Sequence, residues 1–342
     1  MRAAVFEKPG EKFRIREVPT PAPGRGQLLI RVKRCGICGS DLHMTDSHSC
    51  FHPASGAIIG HEFSGEVVAL GEGVGPEWRE GQRITALPYQ GCGRCARCLS
   101  GEPVWCSEVR SMPSGRAQGA FAEYTLVGAA ESLRLPDSLS WEEGAMVEPV
   151  AVGLHAVSLA RFTPGARVLV VGAGSVGLTV AACARAAGAG PVCVTARTDR
   201  RASLARWMGA TEFLLNDDQL AANFARVAGG PPEVIFECVG LTGMLDLCAR
   251  LAAPRATVVV LGACMQQERM MPILPTMKEL RLQFALCYSR RDFETALFMI
   301  ERGYIDPLLL HTDTVDLTRF PDAFEALRQP GAQCKVLLDP GR

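Results

Sequence analysis

The chain has 342 residues, of which 48% are apolar and 21% charged, and its 36 basic side chains balance its 36 acidic ones. This length allows two domains with separate cores, and the balanced charge gives no reason to expect a nucleic-acid or acidic-membrane partner. The charged start of the chain lacks the apolar core of a signal peptide, and the longest uncharged stretch, 168–184, is shorter than a membrane span. We therefore expect a soluble, cytoplasmic protein.

The first 145 residues read as short strands separated by turns rich in proline and glycine, such as PTPAPGRG and GEGVGPEWREG. The β-type runs are 1–6, 27–33, 63–70, 82–87 and 121–127. This pattern predicts a β-rich amino-terminal half.

Between these strands, CGSDLH and GHE supply a thiol, imidazoles and a carboxylate: Cys38, His43, His61 and Glu62. Such ligands from separated segments are typical of a catalytic zinc ion with one position left open for substrate or water. Taken singly, His61 also fits a hydrogen-bonded core histidine and Cys38 a buried thiol. His48, Cys50 and His52 follow at irregular spacing and are interpreted as loop residues.

A second cluster has the pattern C-x2-C-x2-C-x7-C and comprises Cys92, Cys95, Cys98 and Cys106. Four thiolates on a short loop can close a tetrahedron around zinc, which makes a structural site. An iron–sulfur cluster or a redox thiol pair are the alternatives. Fourteen cysteines without a secretory signal indicate thiolates and metal rather than disulfides.

Glu148, in MVEPVAVGLHA, lies where the strand-rich part of the sequence ends. We expect this carboxylate to lie over the metal from the edge of a cleft. The alternative is a carboxylate at the start of a helix, directly before Pro149.

A glycine-rich turn follows an apolar strand at 168–171 and precedes an Ala-rich helix that stops at Gly188. In this context, GxGxxG predicts a dinucleotide site: Gly172 permits the turn, Gly174 lets a pyrophosphate approach, and Gly177 lets helix and strand pack closely. The amino end of the helix would then offer unpaired N–H groups to the diphosphate. The alternative is a glycine-rich buried turn.

The second strand of this unit, 192–195, ends in Thr195-Ala196-Arg197, with Arg200 and Arg201 close behind. NAD sites carry an acidic residue at this point, whereas guanidinium groups suit the 2′-phosphate of NADP. The residues therefore favour NADP(H) over NAD(H). The alternative is that these arginines only solvate the next helix.

Further strands at 212–215, 234–239 and 257–261 alternate with helices, which is typical of a doubly wound parallel sheet. An amphipathic helix is predicted at 291–302, and the tail CKVLLDP has strand character and could rejoin the first domain.

The chain resembles the zinc-dependent medium-chain alcohol dehydrogenases over essentially its whole length. The motifs that carry this resemblance, in order and spacing, are GICGSDLH, GHE, the four-cysteine lobe and VLVVGAGSVG. Glu148-Pro149 is most similar to the sorbitol and threonine dehydrogenase branch. The resemblance implies an α/β protein. It would have a GroES-like, β-rich catalytic domain at 1–150, completed by about 290–342, and a Rossmann domain with a doubly wound parallel sheet at 151–289. Family members are usually homodimers or homotetramers.

The resemblance also implies roles for individual residues, with one catalytic and one structural zinc ion per chain. Cys38, His61 and Glu62 match the catalytic zinc ligands, and Glu148 matches a direct or water-bridged ligand. The four clustered cysteines match the structural zinc site. The positions that match cofactor contacts, besides the glycines and Arg197, are Val176, Ala196, Arg201, Gly262, Leu286 and Cys287.

Two positions depart from the sorbitol pattern. Met44 replaces a polar aromatic residue, and Cys287 stands where polyol enzymes carry arginine, although Tyr288 is kept. A polyol would leave hydroxyls unpaired there, at about 1–3 kcal/mol each. We therefore expect Met44 and Tyr288 to face a more apolar secondary alcohol or ketone.

The sequence thus predicts a zinc-dependent oxidoreductase that transfers hydride between such a substrate and NADP(H). Ser40 is placed to accept the hydroxyl proton and His43 to pass it to solvent. An NAD-dependent polyol or threonine-type dehydrogenase, a zinc-free quinone reductase or non-catalytic relative, and a metal-binding regulatory or redox-sensing protein are the alternatives.

Overall fold

The computed structural model describes residues 1–329 and 331–342, which form two compact units. Unit 1 comprises Met1–Glu148, Tyr288–Gly303 and His311–Arg342, and unit 2 comprises Pro149–Cys287 and Tyr304–Leu310. Chain order therefore places most of unit 2 between two parts of unit 1.

The strands, in chain order, are β1 (Arg2–Val5), β2 (Arg14–Glu17), β3 (Gln27–Gly36), β4 (Glu62–Leu70), β5 (Arg83–Ala86), β6 (Tyr89–Gln90), β7 (Arg110–Ser111), β8 (Tyr124–Gly128), β9 (Ser132–Arg134), β10 (Val168–Val171), β11 (Val192–Ala196), β12 (Glu212–Leu215), β13 (Val234–Glu237), β14 (Thr257–Val260), β15 (Arg281–Phe284), β16 (His311–Asp316) and β17 (Lys335–Asp339). The helices are α1 (Gly39–Thr45), α2 (Ala96–Leu99), α3 (Trp141–Ala160), α4 (Ser175–Ala186), α5 (Ala202–Trp207), α6 (Leu220–Ala228), α7 (Met244–Leu251), α8 (Ile273–Met277), α9 (Arg290–Glu301) and α10 (Phe320–Ala326). Short 3₁₀ turns occur at Pro103–Trp105 and Pro307–Leu310.

Unit 1 is built on a sheet in the order β16-β17-β3-β4-β5-β9, in which β3 also pairs with β8. The tail strand β17 runs antiparallel to β3, with Leu338 opposite Cys35. The carboxy terminus therefore completes the sheet of the amino-terminal half, and the strand prediction for the tail is confirmed.

The core of unit 1 contains a group of phenylalanines from both ends of the chain. Phe13 and Phe121 pack against Phe320 and Phe324 of α10, with ring centroids 4.6–6.4 Å apart. All four side chains are buried, so these contacts fix α10 against the amino-terminal half.

Unit 2 contains a six-stranded parallel sheet in the order β12-β11-β10-β13-β14-β15. The central strand β10 is buried along its whole length, which explains its continuous run of branched apolar residues. Helices and strands alternate along this part of the chain, as in a doubly wound fold. The predicted α/β class and the parallel sheet are confirmed.

Several elements differ from the predicted ones. The exposed strand β2 and the edge strand β15 carry little apolar periodicity and were not predicted. Helix α3 was missed because it is apolar on most sides and contains Pro149. Glu148 lies inside this helix, so the alternative interpretation of Glu148 as a helix-start residue is wrong. Among the described helices, none has the length and apolar character that crossing a bilayer requires.

Candidate active site

Three of the predicted metal ligands lie close together in unit 1. Cys38 immediately precedes α1, while His61 and Glu62 lie where β4 begins. Because β3 and β4 are antiparallel and Gly36 is opposite Glu62, the two segments meet at this end of the sheet. One ligand atom from each of Cys38, His61 and Glu62 lies within 4.8 Å of the others, which suits a single metal ion.

The surroundings of His61 attract positive charge. Burial would lower the pKa of this imidazole, but Asp41 and Cys38 together raise the pKa well above its ordinary value. His61 Nδ1 and Asp41 Oδ1 are 3.3 Å apart, yet neither buried atom has an aligned hydrogen bond. A cation bound by the Cys38 thiolate and the imidazole would take the place of the attracted proton, so these residues fit a divalent metal.

Asp41 is a functional residue that the sequence reasoning did not single out. Its side chain is fully buried, and Oδ2 accepts a hydrogen bond from the Cys38 backbone N–H at 3.0 Å. The carboxylate therefore holds the backbone of a thiol ligand and acts by its charge on the ring of His61, 3.3 Å away. The available signal was the three-residue spacing from Cys38, which is that of a capping box at a helix start.

Glu62 is held by a lysine that was also missed. Lys335 Nζ of β17 lies 2.6 Å from both carboxylate oxygens and 3.2 Å from the carbonyl oxygen of Ile37, and both charged side chains are 1% exposed. Burial would lower the pKa of Lys335, but the charge of Glu62 outweighs it and raises the pKa above its usual value. Gly36 makes room for this carboxylate, since a Cβ there would lie 2.0 Å from Glu62 Oε2.

Glu148 is buried beside these groups, although its carboxylate is outside the set of three ligand atoms that lie within 4.8 Å. Burial raises its pKa to about 7, with His61 opposing that rise and Glu62 adding to it. The side chain of Tyr288 lowers the pKa of the same carboxylate. Its ring stacks on that of Phe293, with the centroids 5.6 Å apart. Tyr288, predicted to face substrate, is 1% exposed and is thus a buried neighbour of Glu148.

Helix α1 carries the residues predicted to move a proton. Ser40 and His43 are three positions apart, so both lie on one face of the helix, and both are half-buried. Burial lowers the pKa of His43. The charge of Asp46 raises this pKa in part, and that of Arg328 lowers it further. Met44, predicted to contact substrate, is 7% exposed.

The four clustered cysteines also converge. The sulfur atoms of Cys92, Cys95, Cys98 and Cys106 lie within 4.8 Å of one another. Backbone N–H groups lower the pKa of Cys92 to about 6, whereas burial and the neighbouring thiols raise that of Cys98 to about 12. Four thiolates at one point need a compensating cation, so this lobe fits a metal ion with four sulfur ligands.

The glycine-rich turn in unit 2 has the geometry that a dinucleotide requires. Gly172 has φ +112°, and a Cβ on Gly177 would lie 2.0 Å from the carbonyl oxygen of Gly172. A Cβ on Gly174, by contrast, would meet no described atom within 4 Å, so the turn is open on that side. Helix α4 begins at Ser175 without a side-chain cap, and its first N–H groups fit a diphosphate.

The residues predicted to select the cofactor lie beyond strand β11. Ala196 ends the strand, and Arg197 is exposed. Arg201 donates a hydrogen bond of 2.9 Å to the carbonyl oxygen of Ala173, inside the glycine-rich turn. Val176, in the first turn of α4, is half-buried.

A buried carboxylate that sequence reasoning missed joins the ends of β13 and β14. Glu237 Oε1 accepts hydrogen bonds from the N–H groups of Val239 and Gly240 at 2.7 and 3.0 Å. A Cβ on Gly262 would lie 2.3 Å from Glu237 Oε2, so glycine is needed there. Leu286 is 54% exposed, while Cys287 is half-buried with φ +56°.

Two family models match the chain. The Alcohol dehydrogenase GroES-like domain matches residues 24–137, and the Zinc-binding dehydrogenase model matches residues 175–302. The first match contains the predicted ligands of both metal sites except Glu148, and the second contains most of the predicted cofactor residues.

Several known proteins are similar over nearly their whole length. The sorbitol dehydrogenase of Bacillus subtilis (strain 168) is 30% identical over 349 residues, which cover 100% of this chain and 98% of that protein. The crystal structure of 2R,3R-butanediol dehydrogenase from Bacillus subtilis superposes with a TM-score of 0.89 at 29% identity, covering 99% of both chains. A zinc-binding dehydrogenase from Sinorhizobium meliloti 1021, bound to NADP, has a TM-score of 0.89 at 31% identity, also covering 99% of both chains.

Proposed function

We propose that this chain, which belongs to the zinc-dependent medium-chain alcohol dehydrogenases and to their sorbitol dehydrogenase-like branch, interconverts a secondary alcohol and a ketone with NADP(H). Membership of the family makes it a zinc-dependent alcohol oxidoreductase with a nicotinamide cofactor. The observation that carries the proposal is the convergence of Cys38, His61 and Glu62 on one point of unit 1.

Cys38, His61 and Glu62 would hold the catalytic metal, with Glu148 at its side. A zinc ion bound there supplies Lewis-acid polarisation of the substrate oxygen, and the nicotinamide supplies the hydride-carrying carbon. Asp41 places a negative charge 3.3 Å from Nδ1 of His61 and is itself fixed by the Cys38 N–H, so it would favour a cation bound by this imidazole. We assign the four-cysteine lobe to a second, structural zinc ion.

The proton of the alcohol would leave along helix α1. Ser40 Oγ is two residues from the ligand Cys38 and is placed to take the hydroxyl proton, and His43 on the same face is placed to pass it to solvent. The lowered pKa of His43 keeps its imidazole neutral, and a neutral imidazole can accept a proton.

NADP(H) is favoured over NAD(H) by the residues around the end of β11. Ala196 provides no carboxylate for a ribose 2′-hydroxyl, and the exposed Arg197 provides a guanidinium for a 2′-phosphate. Arg201 supports this assignment because its bond to the Ala173 carbonyl holds a second guanidinium beside the glycine-rich turn. Structural relatives hold either cofactor, since one is bound to NADP and another to NADH, so the preference for NADP(H) rests on these residues.

The substrate is proposed to be less polar than a sugar alcohol. Cys287 and Met44 offer no strong hydrogen-bond donors, and Tyr288 is buried against Phe293 and near Glu148. Butanediol, the substrate named for one structural relative, contains secondary alcohols on a short carbon chain. We therefore propose small secondary alcohols and ketones of this kind.

We further infer a homo-oligomer, in which two copies meet at β15. This strand ends the described sheet of unit 2, and apolar side chains around it are exposed. The exposed residues are Met271, Ile273, Met277, Phe284 and Leu286. A two-fold axis beside β15 would pair the strand with its own copy in antiparallel register and cover these side chains. Light scattering during gel filtration should give at least a dimer, and F284E should shift it towards monomer.

The reaction is tested by assaying zinc-loaded protein with secondary alcohols, ketones and polyols in the presence of each cofactor. We expect 2,3-butanediol or a similar alcohol to reduce NADP faster than sorbitol does, as followed by the absorbance of the reduced nicotinamide. If the protein oxidised sorbitol with NAD faster than secondary alcohols with NADP, the polyol dehydrogenase alternative would be favoured. No turnover of any alcohol or ketone by protein with both metal sites filled would refute the proposed reaction.

A further inference from the structure

Arg328 joins the last helix of the chain to the helix that carries Ser40 and His43. It lies two residues after the end of α10, and its guanidinium donates hydrogen bonds to the carbonyl oxygen of Leu42, at 2.6 Å, and to Thr45 Oγ1, at 2.7 Å. These acceptors lie in the last turn of α1 and are 286 and 283 positions away in the sequence. The contact is therefore tertiary and depends on where α10 packs.

The guanidinium is itself held in place. Its Nε donates 2.9 Å to Glu325 Oε2, and its carbon lies 5.4 Å from the centroid of the Phe324 ring. Phe324 is fully buried among the phenylalanines of the unit 1 core. With 18% of its side chain exposed, Arg328 is anchored on one side by the core and directed on the other towards α1.

The contact continues from α1 towards the candidate metal ligands. Thr45 Oγ1, which accepts from Arg328, donates 2.7 Å to the carbonyl oxygen of Asp41. The Asp41 carboxylate bonds the Cys38 N–H and lies beside His61. One connected set of hydrogen bonds thus runs from the end of α10 along α1.

We propose that Arg328 is a positioning residue of the proton relay, because it fixes the carboxyl end of α1 and so the places of Ser40 and His43. This inference rests on the proposed function, since the relay has a task only in alcohol oxidation or ketone reduction. A cation at a helix carboxyl end also stabilises that helix. Arg328 itself does not contact the reacting atoms; it acts through α1.

The charge of Arg328 has a second consequence for the relay. The charged groups that act on His43 are Asp46, at the end of α1, and Arg328; Asp46 also lies 3.7 Å from Arg328 and 3.1 Å from His48. Removing the guanidinium would leave Asp46 unopposed, and the pKa of His43 would rise. A larger share of His43 would then be protonated near neutral pH, and protonated imidazole cannot accept a proton.

The test compares R328Q and R328K with the wild type and with R319Q, all loaded with zinc. Arg319 immediately precedes α10, is 65% exposed and lies 3.8 Å from Asp313, so R319Q removes a charge from the other end of the same helix, away from α1. Two measurements are made: kcat and KM against pH, and the titration of the His43 ring by NMR, with H43Q identifying the signal among the six histidines.

For R328Q we expect kcat at pH 7 to fall roughly tenfold, a part of the hundredfold or more that such a relay contributes, with little change in KM for the cofactor. The acid limb of the kcat profile and the His43 titration should both move to higher pH. R328K should keep the titration near its wild-type position and lose only part of kcat. R319Q should match the wild type in both measurements.

Unchanged kcat and an unchanged His43 titration in R328Q would overturn the proposal. A general loss of thermal stability in R328Q and R328K alike, with no movement of the titration, would also overturn it, because Arg328 would then have only a structural role. If wild-type protein oxidised no alcohol, the proposed reaction would fail, but the His43 titration would still decide whether Arg328 acts on the helix as described.

Discussion

The pair formed by Glu62 and Lys335 gives the sharpest prediction. Lys335→Met keeps an unbranched side chain that is one atom shorter and removes the ammonium that lies 2.6 Å from both Glu62 oxygens. The variant leaves a carboxylate that is 1% exposed, and the Ile37 carbonyl, without their donor. We expect the metal-free protein to lose about 3–5 kcal/mol of unfolding free energy.

That magnitude follows from the geometry. At 2.6 Å and an effective dielectric constant of about 20, the two charges attract each other by about 6 kcal/mol. Removing both ions from water costs several kcal/mol each, so the intact pair has a net contribution near zero. K335M forfeits the attraction but keeps the desolvation of Glu62. The double variant E62Q/K335M should therefore be more stable than K335M alone, which a double-mutant cycle measures.

Urea unfolding, followed by near-ultraviolet circular dichroism, is the assay. Lys12→Met is the matched control, because Lys12 makes a similarly short contact of 2.7 Å with Asp322 while the two side chains are 62% and 79% exposed. That variant should change stability by less than about 1 kcal/mol. With zinc bound, K335M should lower the unfolding free energy by less than it does in the metal-free protein, since the metal compensates the Glu62 charge.

Equal effects of K335M and K12M would refute this reasoning, as would additive effects of E62Q and K335M. If K335M lowered the unfolding free energy equally with and without zinc, Glu62 would not be a metal ligand. The buried ion pair would still explain the loss of stability.

Three further substitutions separate the proposed roles. Cys38→Ser should abolish turnover, while a fluorescence titration still detects NADPH binding, because Cys38 lies in unit 1 and the glycine-rich turn in unit 2. Cys106→Ser should lower the zinc content by about one ion per chain and reduce thermal stability, since only three clustered thiols remain. Arg197→Ala should weaken NADPH far more than NADH, and Arg206→Ala, which removes a guanidinium that pairs with Glu212, is its control. Equal losses for both cofactors would defeat the assignment of Arg197.

The parallel sheet was the part of the fold most accessible from sequence. Strands β10 and β12 have the predicted bounds, Val168–Val171 and Glu212–Leu215, because buried parallel strands need unbroken apolar runs between clear turn signals. Strand β15, RLQF, lies at the edge and has no such run. Pro149 obscured α3, since a proline inside a helix normally argues for its end.

The candidate ligands were accessible for a related reason. Cys38 is followed closely by Asp41, and His61 is adjacent to Glu62, so their side-chain types and local spacing carry the chemistry. Lys335 could not be assigned in the same way. It was visible as a charge at the start of an apolar tail strand, but its partner Glu62 lies 273 residues earlier, and the two meet only because β17 pairs with β3 and β3 pairs with β4.

The same separation in sequence explains why motifs predicted the metal ligands and the relay residues of unit 1 but not the cations that bind Glu62 and the end of α1. The segment from Cys38 to Glu62 supplies the proposed ligands and the relay, whereas the last residues of the chain supply the cations that bind Glu62 and the end of α1. Arg328 and Lys335 follow α10, whose Phe320 and Phe324 pack on Phe13 and Phe121. Apolar packing therefore determines where Arg328 lies, whereas strand pairing places Lys335, and substitutions in the packing of α10 should disturb the end of α1 without touching any ligand.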